Sequence, residues 1–145
     1  MTYGFSTGLA NKVVDAMCNG GGGISFFDSG ILDIYTAPRA SSPDAVATGT
    51  KLATMTLPAN AVGPSAGRVV AMLGAWQTAA ALASGTAFWF RFKTASDTGV
   101  VSQSEYRMDG SLTVRGGGGD LTLGTLVIVS GQPVAVNSYV FGLPA

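Results

Sequence analysis

Gly85-Thr-Ala-Phe-Trp-Phe-Arg-Phe-Lys-Thr94 is the stretch that decides how this chain folds. Successive side chains of a strand point to opposite faces. An extended reading therefore sets Phe88, Phe90 and Phe92 on one side and Trp89, Arg91 and Lys93 on the other. Three phenylalanines on one face make a core anchor. A tryptophan beside two cations makes a second, amphipathic face, where the cations pair across strands with Asp or Glu and their stems cover the sheet.

The same period of two extends outward from this segment. Ile24–Phe27, Gly30–Thr36 and Lys51–Leu57 read as strands, the second stopping at Ala37-Pro38 and the third at Pro58. Residues 38–50 and 60–67 read as loops. Gly67–Ala75 is so apolar that burial on both faces is expected, and 77–84 is expected to be a loop or a short helical turn. Gly99–Arg107 and Ser111–Val114 read as strands joined by a tight Met108-Asp109-Gly110 turn. Asp120–Leu123, Leu126–Val129 and Pro133–Gly142 complete the set, the last with Val134, Val136 and Val140 alternating against Ala135, Asn137 and Tyr139. Short strands at intervals of about ten residues predict an all-β, jelly-roll-like sandwich of about eight short antiparallel strands.

One segment breaks this period. Between Ser6 and Asn19, Leu9, Val13, Ala16 and Met17 recur at helical spacing. Ser6 or Thr7 can cap the start and Asn19-Gly20 can supply a left-handed stop. The expected organisation is a helical arm and Gly-rich tether over residues 1–23, followed by a single β domain over 24–145.

Composition removes whole classes of function. Only 11% of the 145 residues are Asp, Glu, Lys or Arg, against about 25% in an ordinary soluble domain. Eight positive and eight negative charges cancel, leaving no electrostatic footprint for nucleic acid, even with Trp89, Arg91 and Lys93 grouped as a stacking patch would need. There is no histidine, so His-based catalysis and His-ligated metals are excluded. Cys18 is alone and reads as a small apolar residue at a helix end.

Gly20–Gly23 and Gly116–Gly119 invite a phosphate-loop reading, but neither is followed by Lys-Ser/Thr and a helix. They read as connectors that use glycine's free backbone, or as loops that order against a partner. Of the eight carboxylates, Asp28, Asp44, Asp97, Asp109 and Asp120 fall in expected turns, and no Ca²⁺-loop spacing or nucleophile elbow occurs. No enzyme activity, cofactor or metal is expected. The longest near-apolar run, Val69–Trp76, is far short of the roughly 20 residues a membrane helix needs, so a soluble product of a cytoplasm, without a membrane partner, is expected.

Specific strings then matter more than periodicity. Gly4-Phe-Ser-Thr-Gly-Leu-Ala-Asn-Lys-Val-Val-Asp-Ala-Met-Cys18, Asp28-Ser-Gly-Ile-Leu-Asp-Ile-Tyr-Thr-Ala-Pro-Arg39, Gly49-Thr-Lys-Leu-Ala-Thr54, Ala87-Phe-Trp-Phe-Arg91 and Gly116-Gly-Gly-Gly-Asp-Leu-Thr-Leu123 resemble, in order, a family of small virion structural proteins of tailed bacteriophages. Some members look like jelly-roll capsid cement, or decoration, proteins. The resemblance implies a capsid-associated role on the outer surface of the virion, after synthesis in the bacterial host's cytoplasm, with the major capsid protein and copies of itself, as a dimer or trimer, for partners. It carries over no catalytic residue. The residues expected at such interfaces are Phe5, Leu9, Val13 and Met17 on the arm, Trp76 at the end of an apolar strand, and Trp89 with Arg91. A tail or fibre component binding a host surface or glycans is the alternative, and a glycan-binding module would use Trp76 and Trp89 as platforms.

Overall fold

The computed structural model describes residues 6–18 and 27–143. Phe5, the Asn19-Gly20 stop, the Gly20–Gly23 tether and Ile24–Phe26 of the first expected strand lie outside the described residues. One helix, α1 (Thr7–Cys18), precedes ten strands: β1 (Ile31–Tyr35), β2 (Lys51–Thr56), β3 (Val69–Ala71), β4 (Gln77–Thr78), β5 (Gly85–Thr86), β6 (Trp89–Lys93), β7 (Arg107–Val114), β8 (Leu121–Leu123), β9 (Val127–Ile128) and β10 (Val134–Gly142). The chain is all-β apart from α1. A curled sheet runs in the order β2-β1-β6-β7-β8-β10-β3, with β4 also on β10, and β5 and β9 form a separate ribbon. The architecture agrees with the expected jelly-roll-like sandwich.

The interior is aromatic. Phe27, Trp76, Phe90, Phe92 and Tyr139 meet at centroid distances such as 4.8 Å (Phe27–Phe92), 5.1 Å (Phe92–Tyr139) and 5.4 Å (Trp76–Tyr139). These edge-to-face and tilted contacts suit the ring quadrupole. The alternation of 85–94 puts Phe90 and Phe92 inward as expected, but Phe88 is 54% exposed. The chain changes partners there: the Ala87 amide donates to Leu126 on the ribbon, while the Phe88 amide donates to Tyr35 in the main sheet.

Four expectations are corrected. Asp109-Gly110 lies inside β7 rather than in a turn, because it serves β6. Gly110 sits under the Phe90 ring, where a Cβ would come within 2.3 Å of Cζ, and the Asp109 carboxylate pairs with Arg91. Residues 99–106 carry no strand. The apolar segment at 67–75 yields only the three-residue β3, with Val70 buried and Val69 and Ala71 exposed. In β10 a register irregularity between Val136 and Ser138 shifts the alternation by one, burying Tyr139 and exposing Val140 at 55%.

β7 and β8 pair in parallel, against the antiparallel expectation, with Leu112 opposite Leu121. Parallel neighbours normally need a crossover of a dozen or more residues. Here the second glycine run turns the chain back within six. Gly116 and Gly118 adopt positive φ (85° and 75°), and the Gly119 amide donates to Thr113 Oγ1 at 3.0 Å. A Cβ at Gly117 or Gly119 would press on Thr113 at 2.8 and 2.7 Å. That run is a specially turned connector.

The helix docks on its own chain. Ser6 Oγ accepts from the Leu9 amide at 3.2 Å as an N-cap. Ala10, Val14 and Cys18, one stripe at spacing four, have no exposed surface, and Val14 and Cys18 belong to the main core. Asn11 and Asp15 accept from the Arg68 and Ser65 amides at 2.7 and 2.8 Å and seat α1 beside β3. The helical part of the arm is thereby built into the core. The stripe read from the sequence is the neighbouring one: Leu9 (51%) and Met17 (45%) are exposed and Val13 is half-buried.

Candidate interaction surfaces

Four ion pairs gather on and beside the second face of β6. Cross-strand register aligns Thr54 on β2, Asp33 on β1, Arg91 on β6 and Asp109 on β7 in one row. Thr54 donates to Asp33 Oδ1 at 2.6 Å, and Lys51 and Lys93 reach Asp33 Oδ2 at 3.0 and 3.2 Å. Arg91 grips Asp109 through Nε–Oδ1 (2.7 Å) and Nη2–Oδ2 (2.8 Å), the bidentate geometry that makes such pairs strong. Burial pushes the Asp33 carboxyl upward, but the hydrogen bonds from Thr54 and Lys51 and the charges of Lys51 and Lys93 outweigh it and hold the group below the ordinary carboxylate range.

Loop 38–50 roofs this row. Arg91 Nη1 and Nη2 donate to the Ala45 and Ser42 carbonyls at 2.7 and 3.2 Å. Trp89 stacks on Tyr35 at 4.6 Å and donates from Nε1 to the Thr36 carbonyl at 3.0 Å. A second clamp lies alongside. Arg107 binds both oxygens of Asp97 at 2.6 and 2.7 Å and donates to the Val100 carbonyl at 2.7 Å. The Arg107 hydrogen bond holds the Asp97 carboxyl low, and the carboxylate in turn raises the guanidinium. Among the described residues no buried side-chain nitrogen or oxygen lacks a partner, so the arrangement is a satisfied structural network.

This placement corrects three interface expectations. Trp76, Trp89 and Arg91 have 0%, 0% and 1% exposure. Trp76 sits in the aromatic core with Nε1 donating to the Ala61 carbonyl at 3.1 Å, and the other two lie under the loop. None offers surface to a partner, and neither tryptophan is a sugar platform. The cross-strand pairing of Arg91 and Lys93 with carboxylates agrees with the sequence reading. Cys18 is buried and desolvation, assisted by Asp15 and Asp28, pushes its thiol up to about 12, which makes it a poor nucleophile. No group of three Cys, Asp or Glu side chains among the described residues is placed to hold a metal ion, and no helix among them is long and apolar enough to cross a membrane.

With the charges used internally, the surface is unusual. All sixteen charged residues are described, and only Lys12, Arg39, Asp44, Arg115 and Asp120 are exposed, against fourteen exposed large apolar side chains among the described residues. Seven of the fourteen come from two stretches that contain no charge at all, residues 69–90 and 121–145. The fold brings these stretches together, because β3 and β4 pair with β10 and β5 pairs with β9. Thr86 faces Val127 across the ribbon. Val127 (63%) is exposed on it and Val129 (52%) just past it, Leu82 (60%) and Phe88 (54%) on the segments flanking β5, and Val69, Leu73 and Val140 on β3, its continuation and β10. A cavity of about 340 Å³ opens between the ribbon and the start of β10, lined by Val127, Val129, Pro133 and Val134 among others. The signal for this surface was in the sequence as two runs of 22 and 25 residues without Asp, Glu, Lys or Arg; reading each segment for strand period alone passes over it.

No family model matches this chain, and neither the comparison with curated proteins nor that with solved structures returned a match.

Proposed function

We propose that this chain is a structural subunit of a bacteriophage virion, a cement protein that binds the major capsid protein lattice and reinforces the head shell, and that it works without catalysis. One observation carries the reading: five exposed charges against fourteen exposed large apolar side chains. A surface with so few ions loses little hydration on being covered. Apolar side chains at half exposure or more gain from burial against protein, and contiguous patches of them mark interaction sites. The phage-like strings along the chain supply the particular setting.

In this reading the outward stripe of α1, with Leu9, Val13 and Met17, meets the shell. Its inner stripe fixes the helix rigidly, so binding need not order it. The test is to identify the chain in purified virions and locate it by image reconstruction. Density on the outer shell is the expected result. Absence from the particle, or a position confined to the tail, overturns the proposal, and the tail position favours the host-binding alternative. A glycan array is expected to give no binding, since Trp76 and Trp89 are both enclosed.

A further inference from the structure

We infer that the charge-free side of the molecule, built from residues 69–90 and 121–143, is the surface through which copies of this chain associate. The inference deepens the structural-subunit reading and rests on it in assigning a protein partner to this side. Three observations choose a second copy as the occupant.

The first is charge. The two stretches carry no ion of their own, so they gain nothing from a charged partner, and an ion brought against them would be desolvated without compensation. The same face of another copy meets this requirement. The chain's zero net charge adds no long-range repulsion between copies.

The second is area. A stable interface takes about 800 Å² from each partner, roughly a tenth of the 7561 Å² that this chain exposes. Of the 45 residues at 69–90 and 121–143, 24 are exposed, enough to supply it.

The third is shape. β5 and β9 pair only with each other; Val127 on β9 and Val129 just past it stand exposed at the rim of the 340 Å³ cavity, and Leu82 and Phe88 are exposed on the segments flanking β5. Projecting apolar side chains next to an apolar recess let one patch serve as both halves of a contact between copies.

Sedimentation velocity on the full chain tests this, with Leu82→Glu, Val127→Glu and, on the charged half, Val101→Glu, which is 70% exposed. Wild type and Val101→Glu are expected to sediment at a multiple of 14.6 kDa, whereas Leu82→Glu and Val127→Glu dissociate at least about tenfold more readily. Circular dichroism checks that each variant is folded; where a glutamate variant is not, Val127→Thr and Leu82→Ser replace it, and the same weakening is expected. A monomeric wild type up to about 0.1 mM, or assembly lost in Val101→Glu but kept in the other two, overturns the inference. A monomer that is nevertheless found on virions removes this inference and leaves the shell reading. An oligomer that is absent from virions does the reverse.

Discussion

The sheet face beneath residues 38–50 and the surface built from 69–90 and 121–143 are both made of short strands, yet they treat water in opposite ways. The first collects Asp33, Lys51, Arg91, Lys93, Asp97, Arg107 and Asp109 and roofs them with a loop. The second has no charge and leaves Leu82, Phe88, Val127 and Val129 more than half exposed. A monomer built for water would distribute these groups the other way. The difference teaches that most ions in this chain are internal fasteners. Several hold loops to a sheet, and solvation of the exterior is left largely to Ser, Thr, Gly and backbone.

Breaking the fasteners should therefore have the largest effect. Arg91→Ala leaves Asp109 and two loop carbonyls without their donors inside a covered site, and removing one member of a buried pair costs about 3–5 kcal/mol. Urea denaturation is expected to show that loss, whereas Val127→Glu on the other surface, compared at a protein concentration low enough that copies have dissociated, should move stability by no more than about 0.5 kcal/mol. If the two variants cost the same, the contrast between the regions is wrong.

A smaller effect is expected from Gly110→Ala. Its Cβ would meet the Phe90 ring at 2.3 Å, and overpacking of this kind costs about 1–3 kcal/mol. The loss of melting temperature should be relieved when Phe90 is changed to Leu in the same chain, because the ring is what the methyl group strikes.

The smallest effect sharpens the comparison through pH. Asp33 and Asp97 titrate below the ordinary carboxylate range when folded. The unfolded chain therefore takes up protons first as pH falls, so the contribution of these groups is complete above about pH 4 and is lost as pH drops through the lowered folded values. Melting temperatures measured from pH 7 down to pH 2 should decline in that lower window. Asp33→Asn and Asp97→Asn together should flatten the decline. The charge-free surface has no Asp or Glu to add to it.

Much of this was legible in the residues, for reasons that can be named. Phe90, Phe92, Trp89 and Arg91 alternate without interruption, so their two faces followed from the period of a strand. β1, β2 and β8 are bounded by Pro, Gly or Asp turns and fall within a residue or two of where those residues put them. What misled were local signals overridden by distant partners. Asp109-Gly110 is the strongest short-range hairpin signal in the chain, but Arg91 and Phe90 claim its two residues for β7. Leu9 and Met17 are larger than Ala10 and Cys18, so size pointed to the outward stripe of α1. Which stripe faces the core is set by Asn11 and Asp15 holding the 65–68 loop, a contact fifty residues away in sequence. The apolar character of 67–75 suggested a long strand; tertiary pairing used three residues of it for β3, tucked Met72 against the core and left Leu73 exposed.

The Asp97–Arg107 clamp has a consequence for engineering. It ties the two ends of the segment between them, with the Gly99 amide on Asp97 and the Ser102 amide on the Asp44 carbonyl holding the base, while Val100 and Val101 stand out at the tip. A closed loop of this kind is indifferent to its length: doubling it costs only about 0.6 kcal/mol of closure entropy. Foreign peptide placed between Val100 and Val101 would be presented on a rigid stem, away from the charge-free face, on every copy in an assembly.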